Sequence, residues 1–439
     1  MIPRVGGLSK ASCAFHEFDI VPVTEAGNLR PQSKLILRKK GKEPTKMLVL
    51  RNARIIPELT EGYDSDRADI VIDNGIIQEI KAPKTADAGE VLDMTDMTVI
   101  PGLIEAHLHL DLKGTNTFEE NVQPDAYRSM TALKLAQDNL RQGYTTVRDV
   151  GDRNNIVIDI ARAVREGAVV APDILASGKI ISPTEKGNDF FGTMYLEADS
   201  PEEFRKAIRK QYQRGADWVK IMGTGAIMNP GAEPGLPIIT EEELKAACDM
   251  ADFLKMPVSV HCHGTEGIKM CIRNGVRTIE HSTILDDECL RMYKASDRSF
   301  MMPTLSAPHS FLDWPEGMPK HYVEKSKKIV KVLDEGMREA YLQGIKMGWA
   351  TDAGVYEGSH GNGIYEFRIR VNKLGMDPKD TLIQATKYNA EILMIDDQVG
   401  TIKAGKKANL AVFRGNPDED IEKLNDVALV IKDGKKVLV

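Results

Sequence analysis

The chain has 439 residues, 42% of them hydrophobic and 28% charged, with a formal net charge of −7. That length allows two or three average domains, or one large α/β barrel with an accessory domain; the mildly acidic balance, with no polybasic run, argues against nucleic acid as the natural partner. No uncharged apolar run approaches the roughly 18 residues of a membrane span and the first residues show no apolar core of signal-peptide length, so a cytoplasmic location without membrane contact is expected. The five cysteines, Cys13, Cys248, Cys262, Cys271 and Cys289, form no Cys-x-x-Cys pair and read as reduced, mostly buried thiols.

Residues from about 9 to 46, with the charge cluster LRKKGKEPTK, carry no clear pattern and are expected to form a solvated extension. MLVLRNARIIP and ADIVIDNGIIQEI then alternate apolar and polar residues, and Asp73-Asn74-Gly75 between two apolar runs predicts a hairpin. From Thr98 to about Val399, short β-branched runs alternate with helical patterns. TVIPGLIEAHLHL, YTTVRDVG, ILASGKIIS, WVKIMGTG, VSVHCHG, TIEHS, SFMMPTLS and KMGWATDAG read as eight strands. Two of the helices, SPEEFRKAIRKQYQRG and ITEEELKAACDMADFLK, open on Ser-x-x-Glu and Thr-x-x-Glu capping boxes. Eight βα units of this length predict an α/β protein with a (β/α)8 TIM barrel over residues 98–396. ANLAVFRG and DVALVIKDGKKVLV resume the β texture, with Asp433-Gly434 as a second hairpin turn. Residues 1–97 and 397–439 are therefore expected to build one small β-sandwich from both chain ends, residues 1–46 being partly extension.

Barrel strands direct alternate residues inward, and chemistry collects at their C-terminal ends. Of nine histidines, His107 and His109 share a face at the end of strand 1, His261 ends strand 5 and His281 ends strand 6. Lys220 is a charge in the apolar run of strand 4, and Asp352 ends strand 8. Burying such groups costs several kcal/mol each without partners, so their convergence calls for mutual compensation or a metal. Imidazole with carboxylate suits zinc, with manganese, cobalt or iron as alternatives, and six donors suit two ions better than one. A buried lysine is readily made neutral, and a neutral amine adds carbon dioxide to give a carbamate that can act as a bridging carboxylate; a lysine paired with Asp352, or one that snorkels, is the alternative. A lone buried histidine is more often a hydrogen-bonded core residue than a ligand, and only the set reverses that balance.

These residues resemble the amidohydrolase superfamily. IPGLIEAHLHL, the lysine in DWVKIM, the first histidine of VSVHCHG, that of TIEHS and the aspartate of ATDAG look like its metal ligands on strands 1, 4, 5, 6 and 8. VGTIKAGKKANLAVFRGNP is similar to its small β domain, so the likeness covers nearly all the chain after about Met47. It is nearest the branch with a carboxylated lysine, which holds Xaa-Pro and Xaa-Arg dipeptidases, zinc carboxypeptidases and ochratoxinase-type amidases. The resemblance implies that His107, His109 and Asp352 hold one ion, that His261 and His281 hold the other, and that carboxylated Lys220 bridges them. Glu105 stands where the superfamily usually has Asp, and Asn409 interrupts its usual Ala-Asp-Leu. SPTEKGNDFFG lacks the Gly-Gly-His whose histidine helps to bind substrate in the dipeptidase branch.

The expected reaction is hydrolysis of an amide bond in a dipeptide or N-acyl amino acid, with Asp352 as general base and then general acid. A cyclic amide, carbamate or lactone on the same centre is the alternative, and a catalytically silent scaffold is a third reading. His263, Glu105, Asn229 and His309 are candidates for substrate contact or for orienting a ligand. Partners are expected to be a small-molecule or short-peptide substrate and further copies of the chain.

Overall fold

The computed structural model describes residues 18–21, 36–39, 47–115 and 117–437. Strands β1 (Phe18–Val21) and β2 (Ile36–Lys39) pair antiparallel within the unit Met1–Thr45, so the segment read as a bare extension contains a strand pair. The rest of that segment lies outside the described residues. Lys46–Val439 form the second unit. Among the described residues no helix is long and apolar enough to cross a membrane.

Both ends of the second unit meet in one mixed sheet. Its strands are β3 (Leu48–Ile55), β4 (Arg67–Asp73), β5 (Ile76–Lys81), β6 (Glu90–Asp93) and β7 (Met97–Pro101) from the N-terminal side. The barrel strands follow: β8 (Leu103–Leu108), β9 (Tyr144–Asp149), β10 (Asp173–Ala176), β11 (Ile180–Ser182), β12 (Tyr195–Glu197), β13 (Val219–Met222), β14 (Val258–Cys262), β15 (Thr278–His281) and β16 (Phe300–Met302). β17 (Leu410–Arg414), β18 (Val427–Lys432) and β19 (Lys435–Val437) complete the mixed sheet, ordered β19-β18-β17-β7-β3-β4-β5 with β6 beside β3. Its two tight hairpins are those marked by the sequence. Asn74 and Gly75 between β4 and β5, and Asp433 and Gly434 between β18 and β19, all have positive φ, as a type I′ turn demands. Leu50, Ile70, Val99, Leu410, Val412 and Ile431 are fully buried against one another, and each such side chain contributes about 1.5–3 kcal/mol.

The single run TVIPGLIEAHLHL is two strands. β7 pairs with β17 and β3 in the mixed sheet, and only β8 enters the parallel array, so residue 98 lies inside a strand of the mixed sheet. The join is Gly102, where a Cβ would stand 2.1 Å from the Thr145 hydroxyl.

Parallel pairing runs β8-β9-β10 and β11-β13-β14-β15-β16, with β12 beside β11. The hydrogen-bonded ring is interrupted twice. The third run breaks between β10 and β11 at Gly178, in the left-handed region at φ +66°, where a Cβ would press on Asn155 and Gln211. The eighth run, KMGWATDAG, is not a regular strand; it touches its neighbours through the isolated bridges Met301–Met347 and Leu108–Ala353.

The α-helices that precede the eighth run are α1 (Thr117–Asn121), α2 (Asp125–Arg141), α3 (Ile156–Arg165), α4 (Pro201–Arg214), α5 (Glu241–Phe253), α6 (Thr265–Arg273), α7 (Asp287–Ala295), α8 (Ser306–Asp313) and α9 (Lys320–Leu342). α3 shows why they form: Ile156, Val157, Ile160 and Ala161 recur at helical spacing and are buried, while Asp159, Arg162 and Arg165 face outward. Thr240 and Glu243 make the full capping box of α5. At α4 the Ser200 hydroxyl caps Glu203 N, whereas the Glu203 carboxylate accepts from Asp199 N.

Candidate metal centre

The register of β13, β14 and β15 sets Lys220, Ser259 and Thr278 side by side, and the histidines lie above them at the C-terminal ends. At the end of β8, Asp352 N donates to His107 O at 2.9 Å and His109 N to Ala353 O at 2.8 Å, which lays the eighth run across both histidines. His281 and Asp352 have φ of 66° and 60°. Such left-handed backbone is uncommon outside glycine and concentrates at functional sites. In β15, Thr278 and Glu280 take the inward positions, so alternation alone would turn His281 outward; the positive φ turns it back to the mouth.

Two groups of donors result. The ligand atoms of His107, His109 and Asp352 lie within 4.8 Å of one another, as do those of His261, His263 and His281. In the first group His107 Nδ1 faces Glu280 Oε2 at 2.6 Å, and His109 Nδ1 donates to the Gly151 carbonyl at 2.8 Å. Their Nε2 atoms stand 3.3 and 3.5 Å from Asp352 Oδ1. With Nδ1 donating to its acceptor, each ring turns Nε2 toward a carboxylate oxygen. Asp352 Oδ1 is buried and has no hydrogen-bond partner among the described residues. Two imidazole nitrogens and an orphaned anionic oxygen fit a cation.

In the second group His281 Nε2 meets His261 Nδ1 at 2.9 Å. His281 Nδ1 contacts Thr304 Oγ1 at 2.6 Å, and His263 Nδ1 contacts Thr283 Oγ1 at 2.7 Å. Burial pushes His261 and His281 well below the ordinary histidine value and brings His109 and His263 down to about 4, so these rings are neutral and able to ligate.

Lys220 is 2% exposed and lines the cavity beside both groups. Burial lowers its ammonium to about 8, against the pull of Glu280 and Asp352. Asp352 is held below its usual range: burial would raise it, and the polar neighbours His107, His109 and Lys220 prevail. Burial pushes Glu105 up to about 8; it accepts from His107 N at 2.9 Å and from Thr351 Oγ1 at 2.8 Å, tying β8 to the eighth run.

The cavity encloses about 700 Å³ of free space, mouth included, and beyond the donors and the hydroxyls of Thr283, Thr304 and Tyr195 its wall is apolar, with Ile180, Phe191, Met194, Met228, Phe311 and Val355. Phe191 and Met194 come from the 3₁₀ segment Asn188–Met194, within and just beyond SPTEKGNDFFG.

Two candidates stand apart. Asn229 turns to its own loop, its Oδ1 accepting from Gly231 N at 2.9 Å and its Nδ2 donating to Glu185 at 3.4 Å. His309 points behind α8, between Asp334 at 2.9 Å and Lys373 at 3.0 Å, while its neighbours Ala307, Pro308 and Phe311 line the cavity. Glu280, Thr283 and Thr304 went unnoticed in the sequence. Glu280 alone had a signal there, a carboxylate inside an apolar run, as at Lys220.

This barrel with imidazole and carboxylate donors at its strand ends defines a metal-dependent hydrolase class, and the chain belongs to it: residues 98–437 match the Amidohydrolase family. The parallel βα array is the TIM barrel of that family, whose members generally use metal ions. The chain is 28% identical over 371 residues to the ochratoxinase of Aspergillus niger, covering 77% of this chain and 75% of the relative. Its fold is similar to a Xaa-Pro dipeptidase crystallised with methionine in its active site, at a TM-score of 0.82 and 29% identity over 90% of this chain and 100% of the other. A prolidase complexed with N-methylphosphonate-L-proline superposes at 0.79 with 29% identity, over 89% and 99%. The protein is thus an enzyme of hydrolytic amide cleavage, similar to ochratoxinase and Xaa-Pro dipeptidase.

Proposed function

We propose that this enzyme hydrolyses the amide bond of a dipeptide or N-acyl amino acid, and that two divalent ions, zinc first among them, serve it. The observation that carries this reading is the pair of donor groups flanking Lys220, with Asp352 Oδ1 unpartnered between two imidazole nitrogens. His107, His109 and Asp352 would hold one ion and His261 with His281 the other, His263 lying close enough to assist. Neutral Lys220 would add to carbon dioxide, forming an N–C bond as one C=O π pair passes to oxygen and the nitrogen loses a proton, to give a carbamate that would serve as a further carboxylate donor. When bound, the ions supply Lewis acidity toward the scissile carbonyl and make a water acidic enough to attack near neutral pH.

Asp352 is ionised and faces the cavity, so it takes the proton that the attacking water gives up and returns it to the leaving nitrogen. Glu105 holds the two segments that carry His107 and Asp352 at fixed separation. Phe191, Met194, Met228 and Phe311 receive an apolar part of the substrate and exclude water. The mixed sheet, with its buried face of Leu50, Ile70, Val412 and Ile431, is read as a small β-sandwich that carries no site residue.

A second reading, a cyclic amide, carbamate or lactone as substrate, is favoured by one observation. Phe191, in the stretch SPTEKGNDFFG that lacks the histidine which the resemblance to the dipeptidase branch implies, presents an apolar side chain to the cavity, with Met194 just beyond it. Assay of the zinc-loaded enzyme against N-acyl amino acids and dipeptides, beside lactones, carbamates and cyclic imides, separates the two. Release of a free amine from linear amides with apolar side chains is expected; turnover confined to the other arm would replace the first reading with the second.

A further inference from the structure

Glu280 takes no part in the chemistry above, yet it is fully buried and uses both oxygens. Its Oε1 accepts from Thr278 Oγ1 at 2.6 Å, Ser259 Oγ at 2.7 Å and Arg148 Nη2 at 2.9 Å, leaving Oε2 to His107 Nδ1 at 2.6 Å. Arg148, equally buried, is braced in turn. Its Nε donates to Ala106 O at 2.6 Å, its Nη1 to Thr278 Oγ1 at 2.8 Å, and its guanidinium lies 4.5 Å over the Trp218 ring. The parallel register brings Ser259 and Thr278 together, and Arg148 reaches them from β9 across the barrel.

Stability does not explain this arrangement, since a buried ion pair is often replaceable by apolar residues without loss. Its geometry has another consequence. A carboxylate only accepts, so His107 must carry a proton on Nδ1, and the Arg148 guanidinium holds that carboxylate in place. A charged acceptor also holds an N–H more tightly than the neutral carbonyl that serves His109.

We infer that Glu280, braced by Arg148, is a positioning residue that locks His107 as the Nδ1–H tautomer and so presents its Nε2 lone pair to a divalent ion. This rests on the reading of His107 as a ligand. Gln at position 280 cannot do the same. If its oxygen meets His107, its NH2 opposes the Arg148 donor; if its NH2 meets His107, the ring must carry its proton on Nε2.

The test is zinc stoichiometry and affinity of the full chain, by chelator competition, for wild type, His107→Ala, Glu280→Gln and Ser259→Ala, with kcat and KM. Glu280→Gln is expected to weaken one of two zinc equivalents about 10- to 100-fold, leave the other at wild-type affinity, and lower kcat more than KM. Ser259→Ala, which keeps the ion pair and removes one hydroxyl from Oε1, is expected to weaken the same equivalent roughly threefold, and decides the matter if Glu280→Gln does not fold. His107→Ala retaining both equivalents would overturn the ligand reading and this inference with it. Loss of one equivalent in His107→Ala, with wild-type zinc affinity in folded Glu280→Gln or in Ser259→Ala, would overturn this inference alone.

Discussion

In the half of the cluster built on β8 and the eighth run, both imidazoles give Nδ1–H to acceptors with no donor of their own, the Glu280 carboxylate and the Gly151 carbonyl, and both aim Nε2 at Asp352. In the half built on β14 and β15, His281 and His263 turn Nδ1 to the hydroxyls of Thr304 and Thr283, and His281 contacts His261 directly. A hydroxyl donates or accepts with equal ease, so it leaves the tautomer open; a carboxylate does not. On the two-ion reading proposed above, the first half is therefore set for a cation in advance, whereas the second would have to give up an imidazole–imidazole hydrogen bond to admit one. Similar donors thus differ in readiness because of what stands behind them.

The largest expected effect lies in the first half. Asp352→Asn keeps an oxygen to ligate and loses the base, so turnover should fall at least about 1,000-fold while most of the metal stays bound. Steady-state rates with metal analysis on the same sample check this, and activity near wild type would remove Asp352 from the mechanism. Next, stepwise chelation should strip the β14–β15 half first, with release rates about tenfold apart. Simultaneous loss of both ions would break the comparison.

Lys220 between the halves gives a pH test. Carbamate forms from the neutral amine, whose fraction at a value of about 8 rises from about a tenth at pH 7 to half at pH 8 and about nine-tenths at pH 9. At a fixed concentration of dissolved carbon dioxide, reactivation of metal-free protein by zinc should quicken about fivefold over the first unit and less than twofold over the second. A lysine at its ordinary value would gain about tenfold at each step. The smallest effect is expected behind α8: His309→Ala should leave kcat and KM within about twofold and cost about 1 kcal/mol in unfolding free energy, by removing the Asp334 contact and leaving Lys373 with Asp313 alone.

Much of this was legible because strands repeat every two residues. His107 and His109 declare a shared face, the Asn-Gly and Asp-Gly turns declare their hairpins, and a lysine or aspartate in an apolar run marks the barrel mouth. What could not be read follows from the same rule. His281 and Asp352 leave strand geometry through positive φ, so no periodicity could assign their direction, and Glu280 on the inward face was overlooked in favour of the histidine beside it. KMGWATDAG has strand composition and makes only isolated bridges, and the break at Gly178 depends on contacts with Asn155 and Gln211, remote in sequence. Asn229 and His309 were candidates for lying near strand ends, but beyond the strand nothing in the sequence sets side-chain direction. The apolar wall arises from a 3₁₀ segment whose side chains acquire meaning only beside the cavity.

The measurement that bears most directly on the paired centre is a crystal structure of the zinc-loaded enzyme with anomalous differences collected at the zinc edge. Two peaks are expected, one among His107, His109 and Asp352 and one at His261 and His281, with continuous density extending from Lys220 Nζ to both. A single peak, or two peaks with an unmodified Lys220, would contradict the account.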